Sequence, residues 1–131
     1  MQILERMNYR QIKSSNKFKA KRQDYGGKWY HSKGEAAYAE ELDWRVKAGE
    51  IKSWERQVKV PLKVNGILIA NYYVDFKVTT KHDSIEYHEY KGYETSEWKM
   101  KWNLFTALLP EIDPGAELVV IKHQSYYKPK K

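Results

Sequence analysis

Residues 58–91 read VKVPLKVNGILIANYYVDFKVTTKHDSIEYHEYK, and whether they form three strands in a row determines the rest of the architecture. Val58, Val60 and Leu62 alternate with polar residues, the period-two pattern of a strand with one buried face. Asn65-Gly66 supplies the two left-handed positions of a tight hairpin, so a second strand is predicted from Ile67 to Val78. In that strand Tyr72, Val74, Phe76 and Val78 form one apolar face, and Asn71, Tyr73, Asp75 and Lys77 form the other. Lys81 to Ser84 makes the next turn. Ile85 to Lys91 is the third strand, ended by Gly92.

Upstream, Ser32-Lys33-Gly34-Glu35 has the S-x-x-E spacing of a capping box, and Ala39, Leu42 and Val46 recur at helical spacing until Gly49. A helix is predicted over 33–48. Downstream, Thr95 can cap a second helix whose buried stripe is Trp98, Trp102, Phe105 and Leu109. Pro110 and the Asp113-Pro114-Gly115 turn are expected to close it, and Glu117 to His123 reads as a last strand. The order helix, three-strand meander, helix, strand predicts an α/β fold with a single mixed β-sheet flanked by helices. The expected organisation is a basic N-terminal arm over 1–28, a folded domain over 29–124 and a basic tail over 125–131.

Composition narrows the classes. With 41% hydrophobic and 15% aromatic residues the chain is too apolar for a disordered protein, and 131 residues suffice for one buried core. The absence of Cys excludes a disulfide scaffold and a Cys-based zinc site. No apolar run approaches membrane-span length, so a soluble, cytoplasmic protein is expected. Nine cations against two acids precede Gly34, so the whole net charge of +7 lies there, and the rest of the chain is balanced. Lys17, Lys19, Lys21 and Arg22 belong to this arm, which points to a polyanionic partner whose counterions the cations release.

Four residues stand out chemically. Asp75 sits in mid-strand, where Asp is disfavoured. Glu89 and Lys91 are two apart and share a face that a neighbouring strand can bring beside Asp75. Glu35 fits the capping box, yet it also falls on the stripe of Ala39, Leu42 and Val46, where a carboxylate needs a partner or a cation. Two carboxylates and an ammonium group on a sheet suit a divalent cation and a phosphate ester. Lys99 and Lys101 on the second helix are either solvated or in contact with phosphate. His31, His82, His88 and His123 lack zinc spacing, and neither a phosphate loop nor a G-x-S-x-G elbow is present.

Glu35 on a helix, Asp75 in a meander, Glu89-x-Lys91 and a second helix together resemble the PD-(D/E)XK nuclease superfamily, whose restriction-endonuclease-like core has the order α-β-β-β-α-β. The strings Ser32-Lys33-Gly34-Glu35-Ala36, Ala48-Gly49-Glu50-Ile51 and Glu89-Tyr90-Lys91-Gly92 are similar to a phage- and prophage-associated branch of small nuclease-like proteins. Val74 stands where the superfamily's name has Pro. The resemblance implies a Mg²⁺- or Mn²⁺-dependent hydrolase. Asp75, Glu89 and the Tyr90 carbonyl would ligate the metal, Glu35 would join directly or through water, and Lys91 would serve the attacking water. It further implies that Gln57, Thr95 and Lys101 position the scissile strand. The expected function is a DNA endonuclease acting on branched or replicative DNA, in the manner of a Holliday junction resolvase. Two cuts per junction would call for a homodimer. The alternatives are a non-catalytic nucleic-acid-binding protein on a nuclease fold and an RNA-directed nuclease.

Overall fold

The computed structural model describes residues 23–26, 28–30, 32–92 and 94–122. The arm cations Lys17, Lys19, Lys21 and Arg22 and the tail lie outside the described residues. At the end of the stretch expected as an arm, β1 (Gln23–Tyr25) pairs antiparallel with β2 (Lys28–Tyr30), which runs on into the expected domain, in a small hairpin.

Helix α1 runs from Lys33 to Lys47, and the Ser32 hydroxyl accepts from the Glu35 amide at 3.1 Å, as a capping residue should. Its end is a Schellman turn: Gly49, at φ +79°, donates to the Val46 carbonyl, and Glu50 donates to that of Arg45. The stripe predicted for this helix faces inward, with Glu35, Ala39 and Leu42 buried. Trp44, by contrast, is 62% exposed on the outer side of the helix.

The sheet has the order β3-β4-β5-β6, from β3 (Ile51–Val64), β4 (Ile67–Thr80), β5 (Ile85–Lys91) and β6 (Glu117–Lys122). The first three strands are antiparallel neighbours, and β6 lies parallel to β5 after a crossover through helix α2 (Ser96–Ile112). This is the single mixed α/β sheet the patterning predicts. Among the boundaries that differ from it are the start of β3 and the end of α2. Strand β3 starts seven residues before Val58, and α2 continues past Pro110 to Ile112. Pro110 sits in the last turn, where it forgoes one ladder bond, and Asp113 N–H still reaches the Leu109 carbonyl at 2.8 Å. No helix among the described residues is long and apolar enough to cross a membrane.

Two cores form. One, under α1, joins Tyr38, Leu42, Phe76, Val78 and Ile121; the other, under α2, joins Val60, Leu62, Tyr72, Val74, Tyr87, Phe105 and Leu109. On β5 the neighbours Tyr87 and His88 point to α2 and α1 respectively, as alternation requires. On β4 simple alternation fails. Tyr72 and Val74 belong to the α2 core, whereas Phe76 and Val78 belong to the α1 core. The row expected to share one face is therefore divided, and the division falls at Asp75.

Candidate functional site

The division has a local cause. The β3–β4 ladder passes from Arg56↔Phe76 to Val58↔Val74 without a Gln57–Asp75 pair. Gln57 is left-handed there, with φ +49°, an arrangement that costs a non-glycine residue about 1–2 kcal/mol. On the other side the β4–β5 ladder stops at Phe76↔His88, one step before Asp75 would face Glu89. Asp75 thus lies where both neighbouring ladders have let go, and its carboxylate takes up the loose groups. Oδ2 accepts from the Tyr90 amide at 2.8 Å, and Oδ1 accepts from the Gln57 side chain at 3.3 Å. Bulge-like breaks of this kind re-aim a side chain and open a fork between strands.

Glu89 and Lys91, both buried, share one face as expected, and both contact Trp98 in the first turn of α2. The indole N–H is shared between Glu89 Oε2 at 3.0 Å and the Tyr72 hydroxyl at 3.2 Å. The same ring lies 3.7 Å from the Lys91 ammonium, whose ion-pair partner is the half-exposed Glu94 at 3.4 Å. Trp102 stacks behind Trp98 at 5.6 Å and locks its orientation. One tryptophan therefore holds an acid by its edge and a base by its face.

Glu35 arrives from the first turn of α1 and makes a side-chain hydrogen bond with Asp75. The approach needs Gly34, because a Cβ at that position would collide with the Tyr90 ring and hydroxyl. Asp75 is repelled by Glu35 and in turn repels Glu89. Burial, then the charge of Glu35, holds Asp75 well above the ordinary carboxylate range, against the pull of the Tyr90 amide and Gln57. Glu89 is pushed up to about 8, by burial first and by Asp75 second, while Tyr72 and Trp98 oppose the shift.

The divalent cation implied by the resemblance fits part of this arrangement. Among the described residues no three Asp, Glu or His side chains form a ready metal cage. Glu89 Oε1, however, is buried with no hydrogen-bond partner among them, beside a second carboxylate that is itself hard to ionise. A buried acceptor next to mutually repelling carboxylates suits a hard cation, and Mg²⁺ commonly takes one or two carboxylates with waters completing its shell. Asp75 and Glu89 are the pair that fits.

The remaining candidates are placed as follows. Gln57 is at the site, bonded to Asp75. Thr95 caps α2, accepting from the Trp98 amide at 3.0 Å. Lys99, exposed, pairs with Glu94 at 3.8 Å, and Lys101, half-buried, pairs with Glu97 at 3.3 Å. Sequence reading missed Tyr72 and Trp98 as site residues and assigned both to apolar faces. The available signal was weak: Trp98 lies three residues past the cap, in the one turn of α2 that begins beside the end of β5.

Over residues 15–125 the chain matches the family DUF1064, described as a protein of unknown function. No curated protein and no solved structure matches it.

Proposed function

We propose that this chain, which belongs to the DUF1064 family, is a metal-dependent nuclease that hydrolyses phosphodiester bonds, with Asp75 and Glu89 as its metal-binding pair. The observation that carries this reading is the fork at Asp75, where Glu35, Asp75 and Glu89 crowd together beside the buried Lys91. Such a cluster is costly to fold around unless its acids keep their protons or a cation neutralises them, and a bound cation would relieve the cost at neutral pH and above.

In this reading Asp75, Glu89 and the Tyr90 carbonyl would hold Mg²⁺ or Mn²⁺, and Glu35 would join directly or through water. A bound cation supplies Lewis acidity and lowers the pKa of a coordinated water. Lys91 faces the same fork from the Trp98 side. Released from Glu94, its ammonium hydrogen-bonds the attacking water and offsets charge on the phosphorane-like transition state. Gln57 steadies the Asp75 carboxylate, while Thr95 and Lys101 border the path of the scissile strand. The favoured substrate is branched or replicative DNA, with phage origin and a homodimer making paired cuts as parts of the same proposal.

The test incubates labelled four-way junction, linear duplex, single-stranded DNA and RNA with the protein in Mg²⁺, Mn²⁺ or EDTA. Cleavage should require the metal, and Asp75→Asn should lower it roughly a hundredfold to a thousandfold while nucleic-acid binding persists. Binding without metal-dependent cleavage of any substrate would leave a non-catalytic binder; cleavage confined to RNA would move the assignment to an RNA-directed nuclease.

A further inference from the structure

The far end of the β3–β4 hairpin shows the opposite anomaly to the site. Val64, Ile67, Leu68 and Ile69 are exposed by 39%, 64%, 50% and 55%. Single exposed aliphatic residues are ordinary, but four clustered at one turn are not. A register slip explains the cluster. The ladder passes from Leu62↔Ala70 to Lys63↔Leu68, leaving Ile69 as an extra residue, so apolar side chains are presented in succession rather than on alternate faces. Asn65 and Gly66, at φ +53° and +81°, close a tight turn that keeps the tip narrow.

Charge decides what covers it. From Arg56 to Val74 the hairpin has no acidic residue and carries Arg56, Lys59 and Lys63. Exposed Tyr73 sits directly opposite Lys59 in the ladder, on the outer face. A second copy of the tip would set lysine against lysine. Edge pairing along β3 is blunted by exposed Lys59, Pro61 and Lys63. A nucleic-acid duplex is complementary on both counts, being a stack of apolar base faces between two rows of phosphates.

We infer that the β3–β4 tip is an apolar wedge that enters a nucleic-acid duplex at a weakly stacked base step, with Lys59 and Lys63 on the flanking phosphates. The inference rests on the nucleic-acid part of the proposed function and adds its geometry. Along β4 the tip stands roughly 20 Å from Asp75 at about 3.3 Å per residue. That distance spans about six base-pair steps of 3.4 Å. The wedge thus opens the duplex about half a helical turn from the site of hydrolysis, which selects interrupted or branched duplexes over continuous ones.

The experiment places 2-aminopurine at the branch point of a DNA junction and follows its fluorescence on binding. It uses full-length Asp75→Asn in EDTA, so hydrolysis is not required. Binding should raise the fluorescence several-fold. The triple change Ile67→Ser, Leu68→Ser, Ile69→Ser should abolish the rise and weaken junction binding about tenfold, a loss of about 1.4 kcal/mol. These side chains are exposed, so the melting temperature should hold; Leu68→Ser alone gives a milder version of the same loss. Equal fluorescence from parent and triple variant overturns the wedge. So does conversion of a dimer to a monomer by the triple change with junction affinity unchanged, which would assign the tip to self-association. Failure of the nuclease reading shows instead as absent cleavage by the native chain, with the fluorescence response intact.

Discussion

The middle and the tip of the β3–β4 ribbon invert the usual rule in opposite directions. At the middle, where both ladders break around Asp75, the ribbon helps enclose Glu35, Glu89 and Lys91, charges that water would normally hold. Five residues past Leu62, the last buried position of β3, the ribbon begins to hold Ile67, Leu68 and Ile69 out in solvent. Both arrangements cost stability. Departures from folding optima of this size, built into adjacent parts of one element, mark the places where a chain meets something else. In the proposed function the middle meets a cation and a phosphate, and in the proposed wedge the tip meets a base step.

The contrast can be broken most sharply by pH. Glu89 keeps its proton up to about 8 in the folded chain against an ordinary value of 4.5. The folded state therefore holds more protons between those values, and stability falls as pH rises through them. His88 opposes this on the acid side. Its ring is fully buried, between the Tyr38 hydroxyl and Glu86, and burial lowers its pKa below 6.5, so folding resists protonation below that point. The clear window runs from the His88 reference of 6.5 up to the Glu89 value of about 8. Across it the metal-free protein should lose about 2 kcal/mol as pH rises, at 1.4 kcal/mol per unit. Thermal melts in EDTA measure this, Glu89→Gln should reduce the slope and its combination with Asp75→Asn should reduce it further, since burial raises Asp75 as well, and Mn²⁺ at pH 8 should restore the loss in the parent by binding the folded state. A flat profile in the parent would mean that the middle of the ribbon is not strained at all.

A smaller effect separates packing from charge. Gly34→Ala pushes a methyl group into the Tyr90 ring and should cost about 1–3 kcal/mol, read as a lowered melting temperature. Tyr90→Ala should absorb most of that cost in a double-mutant cycle. Additive losses would show that the first turn of α1 is not held against Tyr90. The smallest change expected is Trp98→Phe, which keeps an aromatic face for Lys91 and removes the N–H shared by Glu89 and Tyr72. A loss of about 1 kcal/mol in chemical denaturation is expected, and Trp98→Leu should exceed it by also removing the ring.

Much of the site was legible from two periodicities. Period two puts Glu89 and Lys91 on one face, and the order of the meander makes the strand of Asp75 their neighbour. The capping box and the helical stripe together place Glu35 at the start of α1 and on its inner side. What stayed hidden was the handover of β4 between two cores. Residues 51–57 contain no clean alternation, so β3 was read as beginning at Val58, and nothing in the identity of Gln57 announces a left-handed backbone. The slip that exposes Ile69 is equally silent, since Ile67-Leu68-Ile69 reads as an ordinary apolar strand until its partner's register is known. Trp98 was legible as a buried aromatic. Its double contact depends on where α2 begins relative to β5, a distance that no spacing encodes.

The parallel seam between β5 and β6 also bears on how the chain is made. Elements leave the ribosome in order, and α1 and the meander precede α2 and β6. Until residues 117–122 arrive, β5 lacks one of its two neighbours, and before α2 forms the Trp98 contacts to Glu89 and Lys91 are missing. The chain therefore carries its acids and its lysine through most of synthesis without a finished site. The β5–β6 pairing is thus the last of the sheet's three seams that synthesis can complete.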